Sequence, residues 1–117
     1  MEWFIAKLVY QIICGDGDHT PQFDEQMRLV QANAYAEAYE KACRLGKQEA
    51  TSFTNDRSQL VQWQFVDVPE LIHIDNFMDG AEICSRIHEE ASGAHYRDAI
   101  VQKAMMVSKR TPLPFLP

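Results

Sequence analysis

Residues 3–14 run WFIAKLVYQIIC. Their even positions, Phe4, Ala6, Leu8, Tyr10, Ile12 and Cys14, form an unbroken apolar row. The odd positions, Trp3, Ile5, Lys7, Val9, Gln11 and Ile13, are apolar with two polar interruptions. Side chains alternate across a strand, so this is a strand with one face fully covered and the other at least half covered. The stretch GDGDHTP at 15–21 reverses the chain with two glycines and a proline. Residues 23–32 alternate again, with Phe23, Met27 and Leu29 on one side and Asp24, Gln26 and Arg28 on the other. The two runs read as an antiparallel hairpin with an acidic tip.

Working outward, Asn33 is placed to cap a helix over residues 34–50, which is rich in Ala, Glu, Lys and Gln. Ala38, Ala42 and Leu45 mark its buried stripe, and Gly46 weakens it by about 1 kcal/mol relative to alanine. A polar turn at 55–58 precedes a third strand over 60–68, where Val61, Trp63 and Phe65 face one way and Leu60, Val66 and Val68 the other. Pro69 ends regular pairing or places it on an edge. Residues 81–88 fit two periods, and the strand reading is preferred because it forms a second hairpin with the third strand. A last helix covers 94–108, and the tail TPLPFLP has three prolines and three large apolar residues.

At 117 residues the chain has the size of one domain and buries roughly two-thirds of its unfolded surface. Seventeen acids against eleven bases give a formal charge of -6. That balance opposes binding to nucleic acid, where cations must displace counterions, and gives an anionic membrane no handle. Three cysteines without CxxC spacing argue against a disulfide framework or a structural zinc. No signal peptide or membrane span is readable, so a reducing cytoplasm is the expected compartment.

The opening Trp3-Phe4-Ile5-Ala6-Lys7, the run from Gln26 to Ala32 into an alanine-rich helix, and Asp79-Gly80-Ala81-Glu82-Ile83 with Arg86 resemble a bacterial family. It is the family catalogued as domain of unknown function 4288, and the likeness covers roughly residues 2–88. The resemblance implies strand–strand–helix–strand–strand, in line with a strand at 81–88. It implies no activity, substrate or catalytic residue.

The acidic loop fails as a calcium site. Begun at Asp16, an EF-hand template meets Pro21 where glycine belongs and Met27 where a bidentate glutamate belongs. Glu82, Cys84, Arg86 and His88 form a polar row, of which Cys84, Arg86 and His88 are the candidates for holding an anionic ligand. On a strand, however, Cys84 and His88 stand about 13 Å apart, too far for a thiol and its base. No phosphate loop, GxSxG elbow or HExxH motif occurs. Trp3, Phe4, Tyr10, Trp63 and Phe65 lack the basic field of a base-stacking platform.

These readings combine into an α+β domain spanning 1–117: a four-stranded, mostly antiparallel sheet with one packed helix, then a C-terminal helix and extended tail. The sheet's second face, with Trp3, Ile5, Val9, Leu60, Val66 and Val68, is too apolar to be left to water. Together with Phe115 and Leu116 of the tail it is the expected interface of a homodimer. The expected function is a non-catalytic interaction or assembly protein without metal or cofactor. Two alternatives stand beside it. One is a small-molecule binder or compact enzyme using Cys84, Arg86 and His88 in a pocket between sheet and C-terminal helix. The other is an acidic inhibitor of a basic protein.

Overall fold

The apolar row of residues 3–14 is where the core forms. In the computed structural model, which describes residues 1–110, Phe4, Ala6, Leu8 and Tyr10 are all buried on one face of β1 (Glu2–Cys14). β1 pairs in unbroken antiparallel register with β2 (Gln22–Ala32), from Glu2 opposite Ala32 to Ile12 opposite Gln22. Helix α1 (Tyr35–Gln48) crosses the buried face, and Ala38 and Ala42, both fully buried, let it lie close on the sheet. β3 (Thr51–Thr54) and β4 (Leu60–Ile74) complete an antiparallel sheet of order β2-β1-β4-β3. The fold is therefore α+β, with strand, strand, helix, strand and strand in chain order.

Three local expectations are corrected, while Pro69 takes the edge position that was one of its two readings. The fourth strand is β3, not residues 81–88, which carry no regular secondary structure. β4 runs through Pro69 to Ile74, and its free side offers a poor template beside a residue with no N–H and an irregular register. β3 is held by the turn after it: Asn55 Oδ1 accepts the N–H groups of Arg57 (2.9 Å) and Gln59 (3.0 Å). Asn33 does not cap α1. The N-cap is Ala34, extended and without a side-chain bond, because β2 stays paired through Ala32 and leaves Asn33 in the connection.

The third correction concerns Val68, expected on the second face and instead buried in the core cluster with Leu8 and Ala38. Pairing of β1 with β4 shifts twice, so that Lys7 meets Glu70, Val9 meets Asp67 and Tyr10 meets Phe65. The extra residues on β4 form a bulge, and each unit of slip exchanges the faces of the strand. Val66, from the same stretch, is exposed at the rim of a groove between α1 and β4.

The chain divides into two compact units, one ending at Cys84 and one beginning at Ser85. The second unit holds α2 (Gly93–Arg110), whose first turn is capped by Ser92 Oγ accepting the His95 N–H at 3.2 Å. Ile100, Val101, Met105 and Val107 on α2 are all exposed. Phe115 and Leu116 lie outside the described residues.

Candidate interaction surface

With α1 on the inner face, the odd positions of β1 and β2 point to the other side. Ile5 stands beside Leu29, Lys7 beside Met27 and Val9 beside Glu25, while β4 brings Ile72 next to Ile5 and Glu70 next to Lys7. Met27 and Leu29 are each about half exposed at 48% and 49%, and Trp3 is 37% exposed with Phe77 stacked on it at 5.9 Å. A well-packed core thus lies behind a sheet whose front also carries exposed apolar side chains.

Lys7 sits near the centre of this outer face. Its Nζ reaches Glu70 at 2.7 Å and Glu25 at 2.9 Å. Those two bonds, Glu70's first, hold the ammonium above the ordinary lysine pKa. The associated stabilisation is present below about pH 10.4 and is lost as pH rises through the raised value. The triad neutralises the cation within the apolar surface and leaves one negative charge over.

The inner face turns polar toward the hairpin tip. Trp63 Nε1 donates to Asp24 Oδ2 (3.2 Å), Gln26 Nε2 donates to the same oxygen (2.7 Å), and Arg28 Nε donates to Gln26 Oε1 (3.1 Å). Arg28 also pairs with Glu49 just beyond α1. This rail borders an open groove of about 620 Å³ floored by Tyr10, Phe53 and Trp63. The alternation of residues 23–32 carries the signal for it: the side opposite Phe23, Met27 and Leu29 is both core-facing and polar.

On the other flank of α1, Tyr39 donates its hydroxyl to Asp67 Oδ1 at 2.7 Å, and the Val68 N–H donates to the same atom at 2.7 Å. The Tyr39 bond, then the Val68 bond, pull the Asp67 carboxyl below its usual range; Tyr39 moves upward, chiefly through the same contact. This pair adds stability above about pH 4, lost as pH falls through the lowered Asp67 value. At the alkaline end its contribution is present below about pH 10 and lost as pH rises through the raised Tyr39 value. Replacing Tyr39→Phe is expected to move the Asp67 titration midpoint upward, read by carboxylate carbon NMR. An unmoved midpoint would show that Val68 alone sets it. Cys43 Sγ lies 3.8 Å from the same carboxylate.

The residues singled out in the sequence fall on both sides of the boundary between the two units. Cys84 is exposed and closes the first unit. Arg86 and His88 belong to the second, where His88 Nε2 is 3.2 Å from Glu90 and its ring meets Tyr96 edge-on at 5.3 Å. In the hairpin loop, His19 Nε2 accepts the Cys14 N–H at 3.0 Å and Asp16 Oδ1 accepts the Asp18 N–H at 2.9 Å, so these groups build the turn. Among the described residues no three His, Cys, Asp or Glu side chains are placed to hold a metal, and no helix is long and apolar enough to cross a membrane.

No curated protein and no solved structure matches the chain. The family model described as Domain of unknown function (DUF4288) matches residues 3–85. That span takes in α1 and nearly all of the four strands, and the chain belongs to this family.

Proposed function

We propose that this protein is a non-catalytic assembly module of the cytoplasm that works by associating with itself along the outer sheet face and the strand bordering it. The observation that carries this reading is the second apolar face: Trp3, Ile5, Val9, Met27 and Leu29 lie together opposite a complete core. Exposing such a surface costs solubility, and contact with a protein offsets that cost. A two-fold dimer is the commonest closed solution. Its three cysteines, all unpaired, suit a reducing compartment.

Sedimentation velocity across a wide concentration range tests the reading. The wild-type chain is expected to sediment as a dimer, and the double variant Met27→Lys, Leu29→Lys as a folded monomer, since two ammonium groups then stand on the apolar face that the contact is proposed to bury. A wild-type chain that stays monomeric at its solubility limit overturns the proposal.

A further inference from the structure

Among the described residues the sheet has two long free edges, and they are treated differently. The free side of β4 beyond its pairing with β3 carries the bulge near Asp67 and then Pro69, and the Tyr35 hydroxyl approaches the Leu71 carbonyl there at 3.4 Å. Bulges and prolines are the usual guards of an edge. β2 has neither. It is 11 residues long, pairs with β1 without a register break, and among the described residues has no strand on its other side.

The free stretch of β2 is bounded. Pro21 precedes it, and at the far end Lys41 Nζ, from α1, donates to the Gln31 carbonyl at 2.9 Å. Residues 22–30 remain, with Gln26 at their midpoint. We infer that this stretch pairs antiparallel with the same stretch of a second copy, on a two-fold axis through Gln26, joining two sheets into one of eight strands. This inference rests on the assembly reading above and names its seam.

The register about Gln26 matches side chain to side chain. Asp24 falls opposite the partner's Arg28, and Arg28 opposite the partner's Asp24, on the inner face. On the outer face Phe23, 55% exposed, falls opposite the partner's Leu29. Cross-strand pairs of opposite charge or of two apolar groups are the ones that stabilise a sheet. Because the Gln31 carbonyl points away from β1, the alternation of an antiparallel ladder turns the backbone groups of Phe23, Glu25, Met27 and Leu29 outward as well. Those residues meet one another in the proposed register and supply about eight backbone bonds. Glu25 then faces the partner's Met27, outside the charge pairing.

Two measurements test the seam. In a Cys84→Ser background, Gln26→Cys is expected to give a disulfide-linked dimer under mild oxidation, because directly opposed residues in a non-hydrogen-bonded pair sit about 4.5 Å apart at Cα, within disulfide reach. Gln22→Cys serves as the control and is expected to stay unlinked, its counterpart lying about 26 Å away along the strand. In the wild-type chain, amide exchange at Phe23, Glu25, Met27 and Leu29 is expected to slow at least tenfold as concentration rises through the dimerisation range. A dimer with no linkage at position 26 and no protection of these amides overturns the seam while leaving the assembly reading in place. A chain that is monomeric throughout overturns both.

Discussion

Leu8→Ala is expected to remove about 3–5 kcal/mol of folding stability, a large share of the roughly 5–15 kcal/mol that domains of this kind possess. Leu8 is fully buried at the middle of β1, the strand that carries both long pairings, and with Tyr10 is one of the two largest side chains wholly hidden from solvent. Truncation forfeits the transfer energy of the isobutyl group. It also leaves a cavity that the clamped neighbours Ala38, Ala42 and Val68 are too small to refill. Urea unfolding followed by tryptophan fluorescence measures the loss, and a midpoint more than about 10 °C lower on heating accompanies it. Val9→Ala, one residue along and only half buried, is expected to cost about 1 kcal/mol or less on the same scale. Equal losses at the two positions would mean that β1 does not present alternate faces to core and surface as described.

Gly46→Ala is the second large effect, and its sign runs against helix propensity. Alanine is worth about 1 kcal/mol over glycine in a helix interior. A methyl at Gly46, however, meets the Phe65 ring at 2.2 Å (Cε1), 2.5 Å (Cδ1) and 2.8 Å (Cζ). That ring has little room to retreat, because its edge-to-face contact with Tyr10 at 5.7 Å holds it from the other side. Moving α1 away instead stretches the 2.9 Å bond from the Tyr10 hydroxyl to the Gly46 carbonyl. Overpacking of this order costs about 1–3 kcal/mol, so the variant is expected to lose stability, with a net deficit of up to about 2 kcal/mol. The companion variant Phe65→Leu, Gly46→Ala is expected to recover part of the loss. A Gly46→Ala chain more stable than wild type would show that the helix and β4 stand farther apart than they do here.

Glycine at position 46 shows where reading a sequence stops. Within the helix it registers only as a weak link; its reason lies in an aromatic ring nineteen positions away. The elements that were legible are those whose pattern is local and long: the double row of residues 3–14, the hairpin tip with its glycines and proline, and the alanine stripe of α1. β3 was missed although Thr-Ser-Phe-Thr before an Asn-initiated turn has the composition of a strand, because four residues carry too little alternation to stand out. Residues 81–88 alternate convincingly yet stay irregular, since the β4 edge that would complete a second hairpin carries a bulge and Pro69. Val68 went to the wrong face because period-two counting assumes no bulge, and nothing in VDVP announces one. For the proposed interaction surface, the outward placing of Trp3, Ile5 and Val9 follows from alternation alone. Met27 and Leu29 appear beside them only once the register of β2 is known, and the polar rail of Asp24, Gln26 and Arg28 only once those residues are known to face α1.

The placement of β1 between β2 and β4 also shapes how the chain comes into being. On a ribosome the first hairpin and α1 emerge well before β4, yet β1 needs β4 to close its other side. For the time it takes to synthesise some two dozen further residues, the nascent protein shows one bare edge of its most apolar strand as well as the free side of β2. Long-range closure of this kind slows folding, and open edges in the interval invite wrong partners. Identical chains growing on neighbouring ribosomes offer each other those edges, so wrong pairings compete with closure by β4 from the outset. A chain halted before β4 is therefore expected to aggregate during translation, and the yield of soluble protein should depend on how quickly residues 60–74 follow the helix.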